Sequence, residues 1–172
     1  NGVAKFLDGE KWGMMDRSGK VTIQPNYQHL GRLSEGVIVA KKNDNMGLIL
    51  NGEFKKVDGA DKIWDFHDGQ ELTYAISNKK TGFIDRSGKW VIPAQFKKAR
   101  AFAQGLAPAT NGKLWGYINT KGEWVVKEQY PDAEIFSADG LAPVKNGREW
   151  GFINTTGKMV IPAEYVITAG FG

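Results

Sequence analysis

The sequence predicts an all-β fold of five tandem three-stranded antiparallel meanders, stacked as an open, solenoid-like array. Gly13, Gly47, Gly82, Gly116 and Gly151 recur at intervals of 34, 35, 34 and 35 residues, and Trp12, Trp115 and Trp150 precede three of them. A fixed period in this range marks an array of small supersecondary units. The surrounding text recurs too, as MMDRSGK, FIDRSGK, YINTKGE and FINTTGK. Between the turn signals lie only short β-prone runs. The alternative is a closed five-bladed β-propeller, a fold that prefers four strands and roughly 40–45 residues per blade. On this reading 1–172 is one repeat domain, with units at about 2–35, 36–68, 69–104, 105–139 and 140–172.

The unit 105–139 shows how each element is read. Its first run, Leu106 to Thr110, leads to Asn111-Gly112, a pair that suits a type I′ hairpin turn because both central residues tolerate positive φ. Asn146-Gly147 and Asp8-Gly9 are read in the same way. The second run, Leu114 to Asn119, ends in an Asp/Asn-x-x-Gly turn. That turn recurs as Asp16 to Gly19, Asp85 to Gly88, Asn119 to Gly122 and Asn154 to Gly157. A short acceptor side chain opens it and Gly takes the left-handed position. The second repeat is one residue shorter here, which predicts a two-residue Asn51-Gly52 hairpin.

The third run alternates with period 2. Val21, Phe54, Trp90, Trp124 and Met159 are followed two residues on by Ile23, Lys56, Ile92, Val126 and Ile161. Pro108 and Pro143 cannot donate to a ladder, so the first strand is expected at a sheet edge. An irregular or briefly helical crossover follows, with anchor pairs Tyr27 and Leu33, Phe96 and Phe102, and Tyr130 and Phe136. A lone three-stranded sheet is marginal in water, so these anchors are expected to pack into the next unit.

Bulk composition narrows the function classes. The net charge of +4, from 23 basic and 19 acidic residues, permits an anionic partner without demanding one. There is no cysteine, which removes disulfides, thiolate zinc sites and cysteine nucleophiles. No apolar run approaches the roughly 18 residues a membrane helix needs. The opening Asn1-Gly2 falls at a repeat boundary, so the chain is expected to be part of a longer one.

The recurring pattern G-L-A-x-V, N-G-x-x-W-G-[FY]-I-[ND]-x-x-G-K-x-V-I-P-x-[FY] resembles the bacterial WG (KWG) repeat. The best copies run from Gly105 to Tyr130 and from Gly140 to Tyr165. Met46 and Thr81 replace the tryptophan in two repeats, Lys56-Val57-Asp58 replaces Val-Ile-Pro in the second, and Lys127 stands for proline in the fourth. The resemblance implies tandem β-repeats, interaction in place of catalysis, and a bacterial source. An extracytoplasmic location is favoured over a cytoplasmic one.

Two side-chain sets are candidate contacts. Trp12, Trp115 and Trp150 recur at one position, and a row of exposed indoles would suit sugar rings or peptide segments. Against that stands core packing, which is what regularly spaced aromatics in repeats mostly do. Lys41, Lys42, Lys79, Lys80, Lys113, Lys145 and Arg148 lie near the first turns. Aligned, they form a cationic stripe for an anionic polymer; otherwise they keep sheet edges soluble.

No nucleic-acid or nucleotide signature is present. His29 and His67 occupy non-equivalent places, so no metal ligand set is expected, and neither is a cofactor. Catalysis would need Asp65, His67 and Glu71 to converge where the second-to-third junction departs from the pattern. The expected function is therefore a non-enzymatic module that binds another protein. The alternative is binding of glycan or anionic cell-envelope polymer through the aromatic row and basic edge.

Overall fold

The computed structural model describes residues 2–165; the expected end of the last unit, at 172, lies outside them, as does residue 1. The chain divides into two compact units, Asn1–Asn78 with Ile84–Trp90, and Lys79–Phe83 with Val91–Gly172. Each is taken by itself below.

Alternating apolar and polar residues between tight turns fold into five antiparallel sheets, none closed into a barrel, and no helix occurs among the described residues. β1 (Val3–Asp8), β2 (Lys11–Asp16) and β3 (Val21–Tyr27) make the first sheet. The second has β4 (His29–Leu30), β5 (Val37–Lys42), β6 (Asn45–Leu50) and β7 (Glu53–Lys56). The third has β8 (Lys62–Ile63), β9 (Leu72–Ser77), β10 (Lys80–Asp85) and β11 (Trp90–Phe96). The fourth has β12 (Lys98–Ala99), β13 (Ala107–Thr110), β14 (Trp115–Ile118) and β15 (Trp124–Tyr130). The fifth has β16 (Asp132–Ala133), β17 (Ala142–Asn146), β18 (Glu149–Ile153) and β19 (Met159–Tyr165).

The three-stranded meander is thus present in every repeat, and four sheets gain a further two-residue strand. That strand corrects the expected irregular or helical crossover. In the first crossover β4 pairs with β5, and Ser34 pairs with Val37 across a two-residue reversal at Glu35-Gly36, both at positive φ. It also corrects the expected edge. β13 and β17 are internal, with a strand on each side. The carbonyls of Pro108 and Pro143 accept from the Arg100 and Glu134 amides. A residue's N and C=O point the same way along a strand, so each proline nitrogen faces the side where the short strand ends.

The turns divide by chemistry. At Asp16 one carboxylate oxygen accepts from the Ser18 amide at 2.9 Å, the Ser18 hydroxyl at 2.6 Å and the Lys20 amide at 3.0 Å, while Gly19 sits at φ 86°. Asp85, Asn119 and Asn154 repeat this geometry. The shortened Asn51-Gly52 turn has φ of 52° and 81° between paired Leu50 and Glu53, the sign pattern of a type I′ hairpin.

The first turns differ from the expected form. Asp8 and Asn146 are the last paired residues of their strands, so Gly9 and Gly147 alone take positive φ, at 65° and 69°. That sign pattern, with Gly first, is type II′. The Asn111-Gly112 pair lies in a four-residue loop with no positive φ. Thr110 closes this loop, its hydroxyl accepting from Gly112 N at 3.1 Å and donating to Leu114 O at 2.6 Å.

The Asp turns imply an acid response. Ser18 and the Lys20 amide hold Asp16 below the usual carboxyl range. Burial pushes Asp85 upward, but the Ser87 hydroxyl and the Lys89 amide outweigh it and the net shift is downward. A depressed folded pKa contributes stability above the unfolded value of about 3.9, and that contribution is lost progressively as pH falls from there through the lower folded pKa. Because Asn119 and Asn154 make the same backbone bonds, the Asp16→Asn, Asp85→Asn double variant should keep its turns. It should lose less stability than the parent between pH 7 and pH 3 in urea titrations. Equal losses in the two proteins would refute this.

Packing joins neighbouring sheets within each unit. In the first, Met14, Tyr27 and Leu30 meet Ile38, Ala40 and Ile49, and the opposite face of the second sheet packs Val39, Leu48 and Val57 on Ile63, Phe66 and Ala75. In the second, Tyr117, Val126 and Phe136 meet Val144 and Ile153. The Tyr27, Phe102, Tyr130 and Phe136 anchors are buried as expected. On the third strands Ile92 and Val126 are buried, whereas Val21 is exposed.

Candidate binding surface

The Trp-Gly glycine is a packing joint. A β-carbon on Gly116 would lie 2.2 Å from the Val126 carbonyl oxygen, and one on Gly47 2.2 Å from that of Lys55. None of Gly13, Gly47, Gly82 and Gly116 has positive φ. Glycine is needed there because the third strand crosses close over the middle one. The register shows why in the fourth repeat: Trp115 pairs with Tyr130 and Tyr117 with Val126, so β15 bulges opposite Gly116.

The indoles beside these glycines carry cations on their faces. The Arg100 guanidinium lies 4.3 Å from the buried Trp115 ring, pairs with Asp132 at 3.0 Å and Glu134 at 3.7 Å, and donates to the Ala133 carbonyl. In the first repeat Lys5 Nζ lies 5.7 Å from the Trp12 ring centroid and donates to the Leu30 carbonyl at 3.2 Å. Leu30 and Ala133 are the second residues of β4 and β16. Two different sequence positions therefore build one device: a cation that bridges an indole to the neighbouring short strand. Trp12 and Trp150 are half-buried.

The cations of the first turns divide between faces. Lys41 shares a face of β5 with Val39 and Lys42 shares the other with Ala40, by the period of the strand. Lys42 Nζ lies 5.7 Å from the Tyr27 ring. Lys79, Lys80, Lys113 and Arg148 are exposed; Lys41, Lys42 and Lys145 are half-buried.

At the second-to-third junction Asp65 accepts the Arg32 amide at 3.3 Å, while His67 and Glu71 are exposed. The organising residue is one that sequence reasoning passed over. Arg86 donates to Gln70 O at 2.9 Å, Ser34 O at 2.7 Å, Ser34 Oγ at 3.1 Å and His67 O at 2.9 Å. It also pairs with Glu35 at 3.0 Å and lies over Phe66. Nearby, Trp64 stacks on Tyr74 at 4.4 Å with Lys62 Nζ 4.5 Å from its ring. The only sequence signal for that pair was an indole outside the periodic positions. Among the described residues no group of three or more His, Asp or Glu side chains is placed to hold a metal ion.

Consecutive small antiparallel sheets, each with a close glycine crossing between its middle and third strands, define a tandem β-repeat protein. A family model described as the WG containing repeat matches residues 12–45, 82–115, 115–148 and 150–166, and the chain belongs to that family. The stretch between the first two matches holds Met46 and Thr81, where the motif has drifted. No curated protein matches the chain. Among solved structures it is similar to the propeller-like Hsv2p of Kluyveromyces lactis, with TM-score 0.53 and 11% identity over 92% of this chain and 59% of that one. A second structure from Kluyveromyces lactis, Hsv2 with complete loop 6CD, gives TM-score 0.53 and 12% identity over 92% of this chain and 58% of that one. The chain thus spans about three fifths of the length of these structures, and at this identity the likeness concerns the fold.

Proposed function

We propose that this protein is a non-enzymatic module that binds another protein through the loops of its repeats. One observation carries the reading. The residues that recur are used for architecture: glycines under the third strand, indoles beneath cations, Asp and Asn within turns. What differs from repeat to repeat, and is exposed, is the first-turn loops with Lys79, Lys80, Lys113 and Arg148. Specificity resides in such variable loops on a rigid scaffold. Reading Trp12, Trp115 and Trp150 as a glycan row has less support, because Lys5 and Arg100 already lie on two of these rings.

The test is a pull-down with the 172-residue chain beside a Lys41, Lys42, Lys79, Lys80→Glu variant, followed by titration of each captured protein in purified form. A direct partner whose affinity falls about tenfold or more in the variant is expected. An unchanged set of partners, with unchanged affinities, would remove these loops from the reading. Retention of an acidic polysaccharide in place of any protein would favour the polymer alternative.

A further inference from the structure

Among the described residues, the last strand of each sheet has no neighbour on its outer side. Such an edge offers unpaired N–H and C=O groups to any extended chain, and proline or charge on the edge is the common protection. Four of these outer strands, β3, β11, β15 and β19, run for seven residues. β3, β11 and β19 contain Pro25, Pro93 and Pro162, whereas β15 contains no proline.

The glycine crossing shows which way the edge groups of β15 point. Val126 O and Glu128 N are both among the atoms that a β-carbon on Gly116 would meet, so both face β14. Across a trans peptide the C=O of one residue and the N–H of the next point in opposite directions. The Lys127 N–H and C=O, which lie between those two atoms, therefore both face out of the sheet. The Lys127 carbonyl accepts from the exposed Gln129 side chain at 3.3 Å. In the third repeat Ile92 O and Ala94 N lie against Gly82 in the same way. The outward residue between them is Pro93, which has no N–H to give. In the fifth, Pro162 follows Ile161, whose pairing with Phe152 repeats that of Val126 with Tyr117. Lys127 thus restores the donor that proline removes at this site in two other repeats. In β3 the corresponding residue is Gln24, with Pro25 directly after it.

The side chains along this edge narrow the occupant. Val125 is 45% exposed, and Lys127 and Gln129 are exposed beyond it. No carboxylate among the described side chains pairs with Lys127. A second copy bound antiparallel with full overlap would set Lys127 against its own counterpart, and like charges directly opposite repel. A strand with an acidic residue at that place meets the ammonium instead. We propose that the β15 edge takes up an extended segment of a partner protein as a further antiparallel strand, with an acidic residue opposite Lys127 and an apolar one opposite Val125. The proposal rests on the module binding a protein, and it uses a surface other than the first-turn loops.

The experiment follows the backbone amide resonances of the intact chain during titration with acetyl-Thr-Gln-Glu-Gln-Val-amide. Run antiparallel to β15, its Thr, Glu and Val face Gln129, Lys127 and Val125. Controls carry Lys for Glu, or an N-methyl group on the Glu amide nitrogen. Saturable movement of the Val125 and Lys127 amides is expected, with slower hydrogen exchange at Lys127. Binding should be about tenfold weaker with the Lys peptide and absent with the N-methyl peptide. Lys127→Pro, which copies Pro93 and Pro162, should keep the melting temperature and abolish binding. Lys127→Glu keeps the amide and should weaken binding of the acidic peptide about tenfold. Unmoved amides at millimolar peptide, equal binding by the N-methyl peptide, or full binding by Lys127→Pro would each overturn the proposal. So would a dimer of the chain alone, seen by sedimentation, that Lys127→Pro dissociates, because the edge would then belong to a second copy. Should the Lys127 amide stay still while the first-turn charge reversal abolishes partner capture, the edge is refuted and the loop reading stands. Should Lys127 respond as expected while the charge reversal leaves capture unchanged, the edge stands and the loop reading falls.

Discussion

Gly116→Ala is expected to destabilise the protein by about 3 kcal/mol, at the upper end for inserting one methyl group into packed structure. The new carbon would sit 2.2 Å from Val126 O, with Lys127 C at 2.7 Å and Glu128 N at 2.8 Å. All three are backbone atoms, so no side chain can swing away. Relief requires the β15 bulge to lift from β14, which uncovers Val126 and Tyr130 in the core of this repeat. Gly112→Ala is the internal control. It lies four residues earlier, at negative φ, with nothing within 4 Å of the added carbon. There alanine should be neutral or stabilising by about 0.5 kcal/mol, through a less flexible unfolded chain. Urea unfolding midpoints of the two variants against the parent decide the matter. Similar midpoints for both would show that the close approach at Gly116 does not constrain the fold.

The second large effect concerns two identical tetrapeptides. Asp16-Arg17-Ser18-Gly19 and Asp85-Arg86-Ser87-Gly88 make the same turn bonds, yet Arg17 is exposed and Arg86 is mostly buried, its side chain 16% exposed. Arg86→Ala should cost about 2–3 kcal/mol, chiefly because it strands the acceptors of buried Ser34; the pair with Glu35, whose side chain is 53% exposed, adds little. The groups left behind are the carbonyls of Ser34, His67 and Gln70 and the carboxylate of Glu35. Arg17→Ala should change stability by less than about 0.5 kcal/mol. Arg86→Lys should recover only part of the loss, since an ammonium cannot reproduce the planar fork that reaches several acceptors at once. Equal effects at 17 and 86, measured by chemical unfolding, would contradict this assignment.

Much of the fold was legible because turn chemistry and strand alternation are local. The Asp/Asn-x-x-Gly reversals, the Asn51-Gly52 hairpin and the three long strands of each repeat follow from contacts within a few residues. The short strands β4, β8, β12 and β16 left no trace, since two residues cannot display a period. Pro108 and Pro143 misled for a related reason: proline forbids one hydrogen bond, and whether a strand needs that bond depends on where its neighbour stops. The first-turn assignment at Asn111 failed because Thr110 supplies a competing side-chain acceptor and donor.

The candidate surface was less legible. The basic residues were visible, but opposite faces for Lys41 and Lys42 follow only once their strand is placed in its sheet. Neither the cations on Trp12 and Trp115 nor the Arg86 cluster could be read from the chain, because each joins residues far apart in the sequence.

The sequence by itself determined the number of repeats, their period, their meander strands and most of their reversals. These rest on backbone preferences that any copy of the motif carries with it. Tertiary structure alone decided why the Trp-Gly glycine must be glycine and which of two identical arginines is buried. Those outcomes depend on what an adjacent strand or repeat brings within a few ångströms, and equal local sequence meets unequal neighbours along this chain.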